Sequence, residues 1–197
     1  MKFNIAIMAG GQSRRFLSDK TLETFDGKPL IQHPADRLRD IAGDMIIVAK
    51  DCAKYNFLNI NCVCDAYEVQ CPMVGILTAV KHFNAPVFVV AADVPFPEQS
   101  HVRRLFAALQ EADAAVPLID GSLHPLYACY GTGVIPAFEK AVEEGNYSLI
   151  QTLKACRTVH LDNFSLFDSE NEKKSFININ TREDYELAKK HTGASYG

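Results

Sequence analysis

The chain has 197 residues, of which 48% are hydrophobic and 22% are charged, and its formal net charge is −4. This balance is typical of a folded domain with its own core and argues against a disordered chain. The charge also argues against a nucleic-acid partner, while the lack of a long apolar run or a signal peptide argues against a membrane.

Apolar runs typical of buried strands alternate with amphipathic stretches along the whole chain, which predicts an α/β domain with a largely parallel sheet. We expect one domain over residues 1–197, with a short disordered tail at its end. Strands are predicted at 3–8, 45–49, 60–64, 86–92, 114–118, 125–130, 159–161 and 176–179. Helices are predicted from Pro29 to Gly43, at 72–84, 98–111, 132–144 and 149–155, and after Thr181.

Turn and loop signals separate these elements. Asp26-Gly27 and Asp120-Gly121 predict tight turns, and the second turn leads into an antiparallel hairpin. The polar stretch at 163–174 predicts a surface loop.

The first strand runs directly into a glycine-rich, basic loop. Gly10 and Gly11 allow the backbone to turn sharply and approach a ligand, and Arg14, Arg15 and Lys20 follow them. Such a loop suits a triphosphate, because backbone N–H groups, guanidinium groups and an ammonium group can all bind phosphate oxygens. The spacing matches neither of the two standard phosphate-loop motifs. On the loop alone, a phosphate site and a simple strand-to-helix turn are equally supported.

Several polar residues are predicted at the ends of strands. Asp93 follows the most apolar strand, at the edge of an open α/β sheet where ligands bind, so its carboxylate could hold Mg²⁺ on a nucleotide. The alternative is a cap for the turn before Pro95. Asp65 has a similar position, although aspartate commonly opens loops. Asn178 and Asn180 alternate along a predicted strand and could orient phosphate or a metal-bound water, or serve the turn that follows.

The cysteines and one histidine favour structural roles. The six cysteines lack the spacing of a secreted disulfide framework, which favours a reduced, cytoplasmic protein. Cys62, Cys64 and Cys71 lack the paired spacing of structural zinc sites, so we interpret them as buried packing residues. His124 could reach the edge of the sheet, but an isolated histidine is more often structural.

Taken together, these motifs resemble the molybdenum cofactor guanylyltransferase (MobA-type) family of the nucleotidyltransferase superfamily. The family's opening motif, approximately L-A-G-G-x-S-x-R-M-G-x-D-K, is similar to M-A-G-G-Q-S-R-R-F-L-S-D-K at 8–20. Its G-P-L-x-G block is similar to C-P-M-V-G at 71–75, and A-A-D-V-P supplies Asp93. H-P-L-Y-A and F-I-N-I-N-T-R-E-D-Y resemble later blocks, in the expected order.

The resemblance implies a single-domain, three-layer, Rossmann-like nucleotidyltransferase fold whose mostly parallel sheet includes an antiparallel hairpin. It implies a cytoplasmic enzyme that uses GTP and Mg²⁺ to transfer GMP to molybdopterin or the molybdenum cofactor, releasing pyrophosphate. Transient contacts with other cofactor-biosynthesis proteins or molybdoenzymes are also implied. The implied nucleotide-binding residues are Met8, Ala9, Gly10, Gly11, Lys20, Asp65 and Asp93. Arg15, Lys20 and Asp93 are the implied catalytic residues, Asp93 the metal ligand, and Gly75, Asn178 and Asn180 the pterin side.

The chain departs from the family pattern at Phe16-Leu17, Ala49 and Cys71. Three alternatives stay open, and these departures motivate the second of them. The first is a related nucleotidyltransferase that uses CTP or a sugar phosphate, although Ala9-Gly10-Gly11 favours guanine over the A-A-G of cytidylyltransferases. The second is a non-catalytic GTP-binding homologue. The third is a flavodoxin-like or dinucleotide-binding module, whose fingerprint the chain lacks.

Overall fold

The computed structural model describes residues 1–10, 20–65, 67, 69, 71–179, 184–186 and 188. Its strands are β1 (Phe3–Met8), β2 (Thr24–Phe25), β3 (Lys28–Pro29), β4 (Ala42–Ala49), β5 (Asn61–Cys64), β6 (Val87–Ala91), β7 (Ala114–Ile119), β8 (Ser122–Leu123), β9 (Tyr127–Tyr130) and β10 (Thr158–Leu161). Its α-helices are α1 (Gln32–Leu38), α2 (Pro72–Phe83), α3 (Gln99–Leu109), α4 (Ile135–Glu143), α5 (Leu149–Leu153) and α6 (Asn163–Leu166). In these ranges no helix is both long and apolar enough to cross a membrane.

The main sheet has the strand order β10-β7-β9-β6-β1-β4-β5, and β8 pairs with β7. Strand β1 is parallel to both β4 and β6, and β4 is parallel to β5. Strand β9 lies antiparallel between β6 and β7, and β7 and β8 form a tight hairpin. The predicted mostly parallel sheet with an antiparallel hairpin is confirmed.

Side chains alternate between two buried clusters, one on each face of the sheet, because successive residues of a strand point to opposite faces. In β1, Ile5 and Ile7 join the cluster beneath α1 and α3, whereas Ala6 and Met8 join the cluster beneath α2 and α4. Two helical layers therefore cover one sheet, as predicted.

The tight turn at Asp26-Gly27 is confirmed, and it changes the boundaries of the elements that follow. Asp26 and Gly27 have φ values of 46° and 78°, and they join β2 to β3. Pro29 pairs with Thr24 in this small hairpin, so the helix predicted from Pro29 begins at Gln32 instead. Gly43, predicted to end that helix, lies inside β4.

Two predictions near the C-terminal end are wrong. The segment 163–174 is not a loop: Asp162 accepts a hydrogen bond from Ser165 N–H at 2.8 Å and caps α6, and a 3₁₀ helix follows at Glu170–Phe176. The strand predicted at 176–179 does not form, so Asn178 lies in an irregular segment. Here Ile177 and Ile179 pack into a third apolar cluster without pairing to a strand. Thr181 and the last few residues, predicted to form a disordered tail, lie outside the described residues.

The interpretation of the cysteines also requires correction. Cys62 forms a disulfide with Cys52, and Cys64 is exposed rather than buried. The 3₁₀ helix Cys52–Leu58 packs beside β5. This packing brings Cys52 next to Cys62, which is ten residues later in the sequence. Cys71 is partly buried and packs against the cluster beneath α2, in agreement with the prediction.

Candidate active site

The site lies at the carboxyl edge of the parallel strands. Strands β4 and β5 follow β1 on one side of it, whereas the next strand, β6, lies on its other side. The order in which successive strands are added therefore reverses between β1 and β6. Ligands of open α/β sheets bind at this kind of reversal. Ala9 N–H donates to Val48 O at 2.9 Å, and Ala92 N–H donates to Met8 O at 3.0 Å. These bonds fix the backbone just beyond the strands.

Lys20 and Asp93 form an ion pair at this reversal point. Lys20 Nζ donates to Asp93 Oδ2 at 2.5 Å, and the Asp93 side chain is only 13% exposed. Asp93 Oδ1 is buried and has no hydrogen-bond partner within the described part of the chain. The main-chain oxygen of Asp93 accepts from Ile179 N–H at 3.0 Å, which fixes the peptide. A buried carboxylate oxygen without a partner is costly, and a bound cation or donor would compensate for that cost.

A second ion pair, which sequence reasoning missed, lies at the ends of β4 and β5. Lys50 Nζ lies 3.6 Å from Asp65 Oδ2, and it donates to the main-chain oxygens of Asp65, at 3.3 Å, and of Tyr67. Asp65 Oδ1 accepts from Tyr67 N–H at 3.1 Å, and the Asp65 side chain is 9% exposed. Lys50 thereby fixes the turn that carries Asp65. The signal was available, because Lys50 follows a buried strand just as Asp93 does.

A cavity of about 150 Å³ extends between these two pairs. Its walls include Lys50 and the following predicted site residues: Met8, Ala9, Gly10, Lys20, Asp65, Gly75, Asp93 and Asn178. Thus the structure brings together predicted residues from six separate parts of the chain. Gly11, Arg15 and Asn180 lie outside the described residues, so their assignments stay predictions.

Gly75 lies in the first turn of α2, against the end of β1. A Cβ added to it would lie 2.3 Å from Met8 Cε, so glycine lets the helix approach the strand closely. Pro72 is the first residue of α2, and Cys71 precedes it without a capping side-chain bond to any described residue. Since both Cys71 and Pro72 line the cavity, the positive end of the α2 dipole faces it.

Two further contacts hold the ends of the glycine-rich loop. Tyr55 Oη lies 3.0 Å from Thr21 Oγ1, and it also donates to Ala9 O at 3.4 Å. Tyr55 is buried and belongs to the 3₁₀ helix that carries Cys52. Both ends of the loop are therefore anchored on one aromatic side chain.

A second cavity of about 190 Å³ adjoins the first and shares Ala91, Leu126 and Asn178 with it. His124 lines it and packs edge-on against Phe176, with their ring centroids 4.5 Å apart. Burial lowers the pKa of His124, which favours a neutral imidazole at pH 7. His124 thus reaches the sheet edge as predicted, on an aromatic wall beside the main cavity.

The arrangement suits a polyanionic ligand with a bound cation. The Lys20 ammonium and the α2 dipole both favour negative charge, and Asp93 provides a hard oxygen ligand. Among the residues described, no group of three or more His, Cys, Asp or Glu side chains could hold a metal. One carboxylate is typical of Mg²⁺ that is bound mainly through substrate phosphates.

Comparison of sequences identifies close relatives of the chain. The family model of the MobA-like NTP transferase domain matches residues 5–159. A probable molybdenum cofactor guanylyltransferase from Thermococcus gammatolerans is 34% identical over 195 residues, covering 95% of this chain and 98% of the relative. A molybdenum cofactor guanylyltransferase from Desulfosudis oleivorans is 28% identical over 187 residues, covering 92% of each.

Comparison of structures agrees. Molybdopterin-guanine dinucleotide biosynthesis protein A from Archaeoglobus fulgidus superposes with a TM-score of 0.86 at 25% identity, covering 98% of this chain and 100% of that one. The 4-diphosphocytidyl-2C-methyl-D-erythritol synthase from Anaerococcus prevotii gives a TM-score of 0.68 at 12% identity, covering 98% and 99%, and shows the fold alone. The predicted Rossmann-like nucleotidyltransferase fold and enzyme class are confirmed, and the chain belongs to the MobA-like NTP transferase family.

Proposed function

We propose that the chain transfers GMP from GTP to molybdopterin or the molybdenum cofactor and releases pyrophosphate, in molybdopterin guanine dinucleotide biosynthesis. Family membership and the names of relatives that align along nearly the whole chain support this proposal. The observation that carries it is the Lys20–Asp93 pair, 2.5 Å apart, together with the buried Asp93 Oδ1, which has no hydrogen-bond partner among the described residues.

The reaction is an in-line displacement at phosphorus. A phosphate oxygen of the acceptor attacks the α-phosphorus of GTP, and the bond to the bridging oxygen breaks so that its electron pair leaves with pyrophosphate. The acceptor oxygen is already anionic and needs no general base. The chain therefore contributes orientation and charge stabilisation, and Lys20 is placed to donate to the phosphoryl or leaving-group oxygens. Arg15 is proposed to act with it.

Asp93 is the proposed ligand of Mg²⁺, and its environment fits that role. Oδ2 is held by Lys20 and Oδ1 is buried without a partner among the described residues, so a carboxylate oxygen is available to a hard cation. When bound, Mg²⁺ would neutralise charge on the triphosphate oxygens. The fixed main-chain bond from Ile179 keeps Asp93 in place for this purpose.

The remaining residues divide the cavity between the two substrates. Met8, Ala9, Gly10 and Gly11 are proposed to contact guanine and phosphates, and Asp65 to accept from the nucleoside. Gly75, Asn178 and Asn180 are proposed to face the pterin. The position of Asn178 between the two cavities supports this division, because it can contact an acceptor lying in either.

A panel of nucleoside triphosphates tests the reaction. Each is incubated with Mg²⁺ and molybdopterin, and pyrophosphate release is measured. Of the triphosphates tested, only GTP should release pyrophosphate, and omission of Mg²⁺ or molybdopterin should abolish that release. A signal with CTP, or with a sugar phosphate as acceptor, would replace the proposal with the related nucleotidyltransferase. GTP binding without pyrophosphate would identify a non-catalytic homologue.

Asp93→Asn tests the metal assignment, because it keeps the size of the side chain and removes its charge. We expect it to abolish Mg²⁺-dependent pyrophosphate release. The control is Asp113→Asn, since the Asp113 side chain is similarly only 12% exposed and is paired with Arg157 at 2.9 Å, but lies at the opposite edge of the sheet. Undiminished turnover in Asp93→Asn would remove Asp93 from the site.

We further propose that the enzyme acts in the cytoplasm and contacts other cofactor-biosynthesis proteins or molybdoenzymes transiently. The roles of its relatives in cofactor biosynthesis support this. The Cys52–Cys62 disulfide is the observation that opposes it, since such bonds are rare in reducing compartments. Cell fractionation followed by immunoblotting would locate the protein.

A further inference from the structure

Three cysteine sulfurs meet at one edge of the sheet, outside the cavity. Cys52 and Cys62 are joined by a disulfide, and Cys64 Sγ lies 3.3 Å from Cys52 Sγ. Cys62 and Cys64 are two residues apart in β5, so their side chains project from the same face. Cys52 begins the neighbouring 3₁₀ helix. A free thiol is therefore held against one sulfur of an existing disulfide.

We propose that Cys52, Cys62 and Cys64 form a thiol–disulfide exchange site in which Cys52 is the shared sulfur. The Cys64 thiolate attacks Cys52 Sγ, a Cys52–Cys64 bond forms, the Cys52–Cys62 bond breaks, and Cys62 leaves as a thiolate. The proton lost by Cys64 is matched by the proton that Cys62 gains. The exchange conserves electrons and needs no external oxidant.

The position of the site also admits external thiols and disulfides. Cys64 is exposed, and β5 ends the order of strands in the described sheet, so solvent reaches the cluster. The partner class is a small thiol or disulfide, or a cysteine on a protein surface. Two of the other free cysteines differ: Cys129 is buried, and burial raises the pKa of Cys156 to about 11, which disfavours its reactive thiolate.

Two of the cysteines are close in sequence to residues of the 150 Å³ cavity, so the exchange can affect that cavity. Cys64 directly precedes Asp65, and three residues after Cys52 comes Tyr55, which anchors both ends of the glycine-rich loop. Moving the bond from Cys62 to Cys64 moves the attachment of the 3₁₀ helix two residues along β5, about 6.6 Å, towards Asp65. The two disulfide isomers therefore differ in how they tether the two sides of the cavity.

Disulfide mapping tests the site independently of catalysis. The full-length protein is incubated at pH 8, quenched in acid, alkylated and digested, and free Cys62 and Cys64 are quantified by mass spectrometry. We expect alkylation at both positions in the wild type, whereas Cys64→Ser should leave Cys62 unalkylated. Cys156→Ser is the control and should match the wild type. Complete alkylation of Cys64 with none of Cys62 would overturn the proposal.

A second variant tests the alternative bond directly. Cys62→Ser is treated with oxidised glutathione, which is reduced to two glutathione molecules as a Cys52–Cys64 bond forms. We expect that bond in most molecules, and circular dichroism checks that the variant is folded. A folded variant in which Cys52 stays a free thiol would overturn the proposal, and if the variant does not fold, the wild-type mapping decides the question.

Discussion

Gly75→Ala would place a methyl group 2.3 Å from Met8 Cε, whereas ordinary contacts begin at 3.4 Å. The end of Met8 must therefore move by about 1 Å or more. Val48 Cγ1 would lie 3.8 Å from the new methyl group, and the surrounding cluster beneath α2 is closely packed. Met8 lines the cavity and is flexible, so its thioether can move into the space proposed for the nucleotide.

The expected effects on stability and on binding differ in size. Alanine in a helix is more favourable than glycine by about 0.8–1 kcal/mol, while added volume in a packed region costs about 1–3 kcal/mol. We expect the free energy of unfolding of Gly75→Ala to fall by about 0–2 kcal/mol. If the displaced Met8 costs the nucleotide about 1.4 kcal/mol, the Kd of Mg–GTP rises about tenfold.

Calorimetric titration with Mg–GTP measures the change in affinity, and urea denaturation measures stability. Met8→Val removes the atoms that would clash, so Gly75→Ala combined with Met8→Val should restore most of the affinity. Met8→Val alone is the control for the loss of the methionine. An unchanged Kd in Gly75→Ala, or no recovery in the double variant, would refute the proposed displacement.

Three other predictions concern charged and titratable groups. Lys50→Met should weaken Mg–GTP binding about tenfold, which corresponds to about 1.4 kcal/mol, because Asp65 loses its cationic partner. The control Lys54→Met changes an exposed ion pair and should leave the Kd unchanged. Equal Kd values for the two variants would contradict this prediction. Lys20→Ala should slow pyrophosphate release by about 10²–10³-fold, the effect of losing one charge-stabilising donor, and an unchanged rate would exclude it from the site. Burial lowers the pKa of His101 despite its contact with Glu172, so its contribution to stability is present above pH 6.5 and is lost as the pH falls through its lower native value. Urea denaturation at pH 7.5 and 5.5 should show a loss of stability that is smaller in His101→Gln, and an equal loss in both proteins would be inconsistent with this assignment.

The sheet and the position of Asp93 could be predicted because buried parallel strands are continuous apolar runs. The run at 86–92 has few interpretations other than a central strand, and the residue after such a strand must lie at the ligand edge. The same rule applied to the run before Lys50 would have found the second ion pair. Lys50 was missed because a single lysine after a strand resembles an ordinary solvated residue.

Other features depend on contacts that sequence periodicity does not encode. The alternation of Phe176, Ile177, Asn178 and Ile179 resembles a strand, but Ile177 and Ile179 bury their side chains in the cluster that contains Phe25 and Phe96. The Cys52–Cys62 bond depends on how a 3₁₀ helix packs beside an edge strand. In both cases tertiary packing decided between local conformations that the sequence left open.

Lys20 and Asp93 should behave as one unit, and a double-mutant cycle would measure their coupling. At a separation of 2.5 Å each side chain compensates the other's charge, so removing either one leaves an uncompensated charge in a partly buried site. The loss of Mg–GTP binding free energy in Lys20→Ala and the loss in Asp93→Asn therefore each include the broken ion pair. Their sum counts that pair twice, so the double variant should bind Mg–GTP about tenfold or more tightly than the sum predicts. The comparison uses binding, because turnover should already be abolished in Asp93→Asn. Additive costs would mean that the two residues act separately on the ligand, and the ion pair would then be only a feature of the nucleotide-free site.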